Sequence, residues 1–175
     1  MLALVSGLSG DPPAALYVVP TGAMYSTLLM LHVLCAVVGF GAVGVTGIQA
    51  ARVGRGPSAP GAAGVRRYFR PGVNWTGRAL YGVPVFGFCL LAASRGAFRA
   101  GDGFVVAGLF LWTTAAVVAE VVVWPAERRI QQSLSRRWED DGDPRLVDDC
   151  RRTAAAAALL GVVFVGATVL MIGKP

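Results

Sequence analysis

One histidine and two cysteines are the residues best suited to hold a metal ion or a haem. His32 and Cys35 are three residues apart in one apolar stretch, and Cys89 lies in another. An imidazole with soft sulfur ligands suits Cu(I), and an imidazole can also be an axial ligand of haem. With a single histidine in the chain, haem would need a dimer or a methionine such as Met30 or Met171. The plainer interpretation is that His32 hydrogen-bonds a neighbouring helix and that the cysteines pack. We therefore predict no cofactor, and keep these three residues as metal candidates and His32 as a cofactor ligand candidate.

Glu120 is the one acid inside an apolar stretch. An ionisable residue at such a place is a candidate proton or cation site. The alternative is a carboxylate that reaches the membrane surface or pairs with Arg52 or Arg78. His32 and Glu120 are expected in opposite halves of the bilayer, about 15 Å apart in depth, and so are not expected to pair.

The remaining polar residues show no catalytic pattern. Four acids, Glu139, Asp140, Asp141 and Asp143, follow one another too closely to match a calcium-binding loop, and they predict a solvated turn. The chain has no nucleophile–base pair, no phosphate-binding glycine loop and no HExxH motif. We expect it not to be an enzyme.

Composition places these residues in a membrane protein. The chain has 175 residues, of which 55% are hydrophobic and 15% charged, with a mean hydropathy of +0.60. A bilayer core about 30 Å thick needs about 20 apolar residues per helix. Four stretches qualify, at about 25–49, 79–98, 103–124 and 153–172, where the second reaches 98 only if Arg95 extends to the surface. The sequence predicts a single all-α domain, 1–175, built as a membrane four-helix bundle with antiparallel up-down spans.

Basic residues predict the orientation. The segments 50–78 and 125–152 hold thirteen of the sixteen basic residues, and the other side holds Arg95, Arg99 and Lys174. The positive-inside rule places 50–78 and 125–152 in the cytoplasm and both termini outside, in a multi-pass protein of the bacterial plasma membrane. The net charge of +6 is explained by topology, so no nucleic-acid partner is expected. The 1–23 segment is expected outside the cytoplasm, and Met24 is an alternative start.

The two cytoplasmic segments differ in their predicted structure. Glycines and prolines predict that 50–78 is irregular and mobile. In 125–152, residues 127–138 can continue the third helix after a kink at Pro125, and Asp143 with Pro144 predicts the start of the fourth. Asp148 and Arg152, four residues apart, can pair on its surface.

Small and weakly polar residues predict the packing faces of the spans, because they let helices approach closely in lipid. The first span carries such a face along its whole length. The predicted faces are His32, Cys35, Gly39, Ala42, Thr46 and Gln49 in the first span; Gly82, Cys89 and Ala93 in the second; Thr113, Ala116 and Glu120 in the third; and Ala154, Ala158, Gly161 and Thr168 in the fourth.

Two motifs resemble those of a known family. The first span reads Leu29-Leu-Met-Leu-His-Val-Leu-Cys-Ala-Val-Val-Gly-Phe-Gly-Ala, and the third ends in Trp124-Pro-Ala-Glu-Arg-Arg. Both resemble a family of uncharacterised bacterial integral membrane proteins with four predicted spans, and the resemblance runs from about Met24 to Lys174. It implies topology and no established activity. A remoter likeness is to the copper-resistance D membrane domain, which uses several intramembrane histidines.

Three functions remain open at this point. The first, which we favour, is a non-enzymatic supporting or interaction subunit, with the bilayer, anionic lipid headgroups and a membrane protein or second copy of the chain as partners. The second is a small proton-coupled transporter, although broken helices and midplane polar groups are few. The third is a haem- or copper-binding membrane protein that uses His32.

Overall fold

The computed structural model describes residues 22–55, 62–136 and 144–173, and within them every regular element is helical. The helices are α1 (Ala23–Val53), α2 (Ala62–Tyr68), α3 (Gly82–Ala93), α4 (Gly103–Val118), α5 (Trp124–Arg136) and α6 (Pro144–Ile172). A 3-10 turn, Gly77–Tyr81, leads into α3, and a π-helical turn, Ala119–Val123, joins α4 to α5. This confirms the predicted all-α class. The acidic run, the 1–21 segment and Lys174 lie outside the described residues.

Three helical stretches are long and apolar enough to cross a membrane: Ala23–Val53, Gly103–Ser135 and Arg145–Ile172. The second predicted span is the shorter apolar stretch Gly77–Ala93. Its extension to Phe98 was wrong, since Ser94 ends the helix and Arg95 adopts a φ of 52°. This left-handed backbone conformation is unfavourable for a residue with a side chain, and it cannot continue a right-handed α-helix.

The packing face predicted for α1 is confirmed. Gly39 lies so close to the second segment that a Cβ there would be 2.5 Å from the Leu80 backbone nitrogen. Cys35 packs directly against Gly82. On a neighbouring side, which the predicted face did not include, Gly47 contacts Ala157 of α6. The helix therefore packs on both neighbours through its small residues, as expected in lipid.

Of the face predicted for α4 only Ala116 is buried, and none of the four residues predicted for α6 is. In α4 the buried residues are Ala115 and Ala116, followed by Ala119 in the π turn, whereas Thr113 and Glu120 are exposed. In α6 the buried residues are Thr153, Ala156, Ala157 and Leu160, whereas Ala158, Gly161 and Thr168 are exposed. Both helices are rich in small residues on several sides, so small size alone did not distinguish the packing face. In the second segment Gly82 packs as predicted, but Cys89 is exposed.

Two prolines explain the irregular turns. Pro84 has no N–H to offer the carbonyl of Leu80 four residues earlier. The indole of Trp112 supplies that hydrogen bond instead, donating to Leu80 O at 3.0 Å. The π turn ends directly before Trp124 and Pro125, where the proline ring would crowd the preceding turn of a regular helix. The helix nevertheless continues to Arg136, as the sequence predicted for this segment, and Trp138 lies outside the described residues.

The described parts of the segments 50–78 and 125–152 lie together, at what we call the basic end of the bundle. Here α2, α5 and the ends of α1 and α6 share an apolar cluster: Ala50, Val53, Val65, Phe69, Ile130, Leu134 and Cys150. The expectation of an irregular segment 50–78 was therefore wrong for 62–68, which form α2. Val65 and Phe69 anchor this segment, being 3% and 2% exposed.

Candidate functional site

His32 lies against the glycine-rich side of α3. Its Nδ1 is 2.8 Å from the backbone oxygen of Val83, so Nδ1–H donates and the neutral tautomer carries its lone pair on Nε2. The ring lies beside Gly87, where a Cβ would be 3.4 Å from His32 Cε1. This is the interhelical hydrogen bond expected from the plainer interpretation of His32.

The three metal candidates do not converge into one cluster. Cys35 is partly buried against Gly82, and Cys89 is exposed on α3. Among the described residues, no three histidine, cysteine or acidic side chains lie close enough to hold a metal ion. A metal or haem role for His32, Cys35 or Cys89 stays a prediction.

Glu120 accepts a hydrogen bond from the hydroxyl of Tyr81. The pair joins two irregular turns, because Glu120 lies in the π turn and Tyr81 ends the 3-10 turn before α3. Glu120 itself is exposed on the side of the bundle. The partner of Glu120 is thus Tyr81, and not Arg52 or Arg78 as the sequence suggested. His32 and Glu120 bond different residues of the second segment, Val83 and Tyr81, in agreement with the expectation that they do not pair with each other.

Arg78 lies over the ring of Trp124, with its guanidinium carbon 4.7 Å from the ring centroid. Trp124 is 5% exposed. The ring of Tyr81 packs between two tryptophans, and its centroid lies 5.8 Å from that of Trp124 and 6.4 Å from that of Trp112. A cation over an aromatic face is a favourable contact that anchors the arginine. The wall between the second segment and α4 is thus aromatic, in contrast to the small-residue contacts of α1.

A second acid, Glu127, was not singled out in the sequence. It lies on the first turn of α5, three residues past Trp124, and is 6% exposed. Its Oε1 accepts from the side-chain nitrogen of Asn74 at 3.5 Å, and the Oδ1 of Asn74 accepts from the backbone N–H of Gly77 at 3.3 Å. Burial raises the pKa of Glu127, while the Asn74 hydrogen bond and the charges of Arg78 and Arg128 lower it less.

Tyr68 lies near Glu127 and connects this region to α1. The hydroxyl of Thr46 donates to Ala42 O at 3.0 Å, so the hydroxyl of Tyr68 is the donor in the 2.7 Å contact between them. Burial raises the pKa of Tyr68. One turn further along α1, Gln49 Oε1 is buried with no hydrogen-bond partner among the described residues. The buried acid Glu127, with Asn74 and Tyr68 beside it, defines a polar site.

A helical pattern in the sequence could have revealed Glu127. Val123, Glu127, Ile130 and Leu134 are spaced four, three and four apart, and Gln131 lies four residues past Glu127, which places all five on one face of a helix. All five are buried. The three apolar members predict a core-facing stripe, and a carboxyl group within such a stripe is buried with them.

Two sets of arginines at the basic end differ in their surroundings. Arg129 pairs with Asp149 at 3.0 Å, and Arg152 pairs with Asp148 at 2.8 Å, which confirms the predicted helix-surface pair. Asp149 in turn raises the pKa of Arg129. In contrast, Arg66, Arg67 and Arg70 line a cleft of about 520 Å³ between α2 and α5, and form no ion pair with the described residues.

The helices and these sites define an integral membrane protein of the all-helical class, with apolar spans and a polar, arginine-rich end. Residues 26–175 match the DUF2269 family, described as predicted integral membrane proteins, and the chain belongs to that family. No curated protein and no solved structure matches the chain. The likeness to the copper-resistance D domain is therefore not supported.

Proposed function

We propose that the protein is a non-enzymatic supporting or interaction subunit of a larger assembly in the bacterial plasma membrane. The observation that supports this most is the position of Glu120. The residue belongs to an apolar span, yet it is exposed on the side of the bundle. An acid facing lipid costs about 2.5–3.5 kcal/mol at the centre of a span, and less toward the surface.

The geometry around Glu120 favours a protein partner over the lipid surface. A helical side chain points toward the N-terminal end of its own helix, which here is away from the basic end. Tyr81 also holds the carboxyl group toward the second segment. A neighbouring helix with a hydrogen-bonding side chain would cover Glu120 and satisfy its remaining lone pairs. Thr113 and Val117 lie on the same side of α4 and are exposed too.

Site-specific photo-crosslinking in native membranes tests this proposal. A photoreactive residue at Val117, 55% exposed and three residues from Glu120, is expected to crosslink to one defined membrane protein or to a second copy of the chain. The matched control is Val165 on α6, 60% exposed, which is expected to give no protein product. Glu120→Leu should abolish the Val117 product, and Glu120→Gln should retain it because the amide oxygen still accepts from Tyr81. Equal yields from Val117 and Val165 would contradict the proposal.

The proposed orientation places the basic end in the cytoplasm and both chain ends outside. The positions of α2 and α5 support a common side for the two arginine-rich segments, and the positive-inside rule supports which side it is. In a variant without native cysteines, cysteines at Ser58 and Gly142 should be protected from an impermeant thiol reagent in intact cells. A cysteine at Gly101 should react. Labelling of Ser58 from outside would reverse the orientation.

A second candidate function, proton-coupled transport, is favoured by Glu127. This carboxyl group is buried, its pKa is raised, and the chain breaks its regular helices at two nearby turns. Such broken helices often surround transport sites. In proteoliposomes that contain a pH-sensitive dye, proton flux that is lost in Glu127→Gln would support transport. Flux equal to that of empty vesicles would exclude proton movement by the purified chain.

The haem- or copper-binding alternative has less support, because His32 bonds Val83 and no metal-binding cluster of three side chains occurs in the described part of the chain. The purified protein tests it directly. A stoichiometric Soret band or bound copper that is lost in His32→Ala would favour this alternative over the assembly proposal.

A further inference from the structure

Three arginines at the basic end meet in one cleft. Arg66 and Arg67 come from α2, Arg70 follows two residues after its end, and all three are exposed. The opposite wall is the α5 face with Gln131, Leu134 and Ser135. The residues that line the cleft include no acid, so it carries a local charge of about +3 that no described side chain neutralises.

The walls of the cleft are held in place from behind. Phe69 and Leu134 are 2% and 3% exposed and belong to the apolar cluster of this end. Gln131 joins the two sides, because its side-chain nitrogen donates to the Gly72 backbone oxygen at 3.4 Å. The hydroxyl of Ser135 donates to the Gln131 backbone oxygen. The three arginines therefore extend from a fixed support.

Other arginines of the same end have a partner within the protein. Arg78 stacks on Trp124, Arg129 pairs with Asp149 and Arg152 with Asp148. Three guanidinium groups around one cleft repel one another unless an anion lies between them. The guanidinium fork matches the oxygens of a phosphate group in geometry and charge.

We propose that this cleft binds a phosphate group, and that an anionic phospholipid headgroup supplies it. Gln131 is seven residues past Trp124, which corresponds to about 10 Å along α5 and to the depth of the lipid headgroups. A soluble phosphate compound has the same recognition chemistry, and the experiment separates the two sources. The inference does not rest on the proposed assembly role, because the cleft lies on a different part of the molecule from Glu120.

The test is lipid binding to the purified full chain in a neutral detergent, followed by native mass spectrometry. The probes are phosphatidylglycerol, phosphatidylcholine and inorganic phosphate. We expect phosphatidylglycerol to bind at least about tenfold more tightly than phosphatidylcholine, because the choline group cancels the charge of its phosphate. The triple variant Arg66→Gln/Arg67→Gln/Arg70→Gln should lose at least about tenfold in phosphatidylglycerol affinity.

A matched triple variant separates a site from a general charge effect. Arg55→Gln/Arg128→Gln/Arg151→Gln removes the same charge from exposed positions of the same end, outside the cleft. It should weaken phosphatidylglycerol binding by less than about threefold. Replacing the three cleft arginines by lysine keeps the charge and removes the planar fork, and an intermediate loss is expected. This lysine variant also keeps the test valid if the glutamine triple variant fails to fold.

Inorganic phosphate identifies the source of the phosphate group. Phosphatidylglycerol binding that millimolar phosphate does not displace supports a lipid headgroup in the cleft. Phosphate that displaces the lipid and binds by itself, with both effects lost in the cleft variant, supports the cleft and overturns its assignment to lipid. Equal losses in the two glutamine triple variants, or no loss in either, would overturn the phosphate site.

Discussion

The membrane-embedded part of the bundle and its basic end pack by different rules. Within the spans, α1 meets its neighbours at Gly39 and Gly47, where a Cβ would overlap the adjacent helix. At the basic end, Phe69, Ile130 and Leu134 fill a cluster with their large side chains. Lipid is as apolar as leucine, so burying a large side chain gains little there, and close backbone approach replaces it. Water at the basic end restores the hydrophobic effect.

The two acids of the third helical stretch also differ between these two parts of the molecule. Glu120 lies within the span and is exposed, while Glu127 lies past Trp124 and is 6% exposed. Each is held by one side chain, Tyr81 or Asn74. An acid on a lipid-facing side needs a partner from outside the bundle, whereas a buried acid beside water is a group that can take up a proton. This difference is why the first supports assembly and the second supports proton binding.

The largest expected effect comes from truncating the apolar cluster of the basic end. Phe69→Ala should lower the free energy of unfolding by about 3–5 kcal/mol, because it removes a buried ring and leaves a cavity. Denaturant titration in mild detergent, followed by circular dichroism, measures this. The control is Phe88→Ala on α3, which is 54% exposed and should change stability by about 0.5 kcal/mol or less. Similar losses for both would mean that one packing rule holds throughout.

Overfilling a contact in the membrane-embedded part should have the next largest effect. Gly39→Leu should cost about 1–3 kcal/mol, since its side chain would meet the Leu80 backbone, which cannot move aside as a flexible side chain does. Gly41→Leu is the matched control, because Gly41 faces open space two residues away. Thermal unfolding in detergent compares the two. A destabilised Gly41→Leu would show that this face of α1 is covered by something other than lipid.

The contrast between the two parts also explains what the sequence could predict. The packing face of α1 toward the second segment was predicted correctly because small and polar residues follow one line there, opposite bulky valines and leucines. Gly47, which contacts Ala157 of α6, lies off that line and was not predicted. In α4, Thr113, Thr114, Ala115 and Ala116 are consecutive, so several faces qualify. The face that packs is chosen by long-range contacts, among them the hydrogen bond from Trp112 to the carbonyl that Pro84 leaves unsatisfied.

The polar site was missed for a related reason. Glu127 was assigned to a cytoplasmic segment, where acids are ordinarily solvated, and its partner Asn74 lies 53 residues earlier in a segment predicted to be irregular. The three-and-four spacing from Val123 to Leu134 could have predicted that Glu127 lies on the apolar face of the helix. The packing of α2 over this face, which buries the residues around it, is a tertiary effect that local spacing does not contain.

A pH-dependent effect should follow from Glu127. Because burial raises its pKa in the folded protein, the charged form disfavours folding. The stabilising contribution of the neutral form is complete below the ordinary pKa of 4.5 and is lost as pH rises through the raised value. Glu127→Gln should remove this decline, so the variant gains on the wild type across that window. Thermal unfolding midpoints measured at a series of pH values test the slope.

Asn74→Ala provides the control for the pH effect. Its side chain lowers the pKa of Glu127, so removing it should raise that pKa further and move the decline to higher pH. The double variant Asn74→Ala/Glu127→Gln should show no such decline. An unchanged decline in Glu127→Gln would mean that another group titrates, and would remove the argument for proton binding at this site.

The smallest effect is expected at the surface ion pair of the basic end. Arg129 Nε lies 3.0–3.1 Å from both Asp149 oxygens, but the arginine side chain is 53% exposed. Solvent screening limits such a pair, so Arg129→Gln should cost about 0.2–1 kcal/mol, and less at 1 M salt. Arg128→Gln, at the exposed neighbouring position without an ion pair in the described residues, is the control in the same denaturant titration. A loss as large as that of Phe69→Ala that shrinks at 1 M salt would show that charge pairing, and not the apolar cluster, holds this end together. The contrast with the membrane-embedded part would then lie in electrostatics instead of packing.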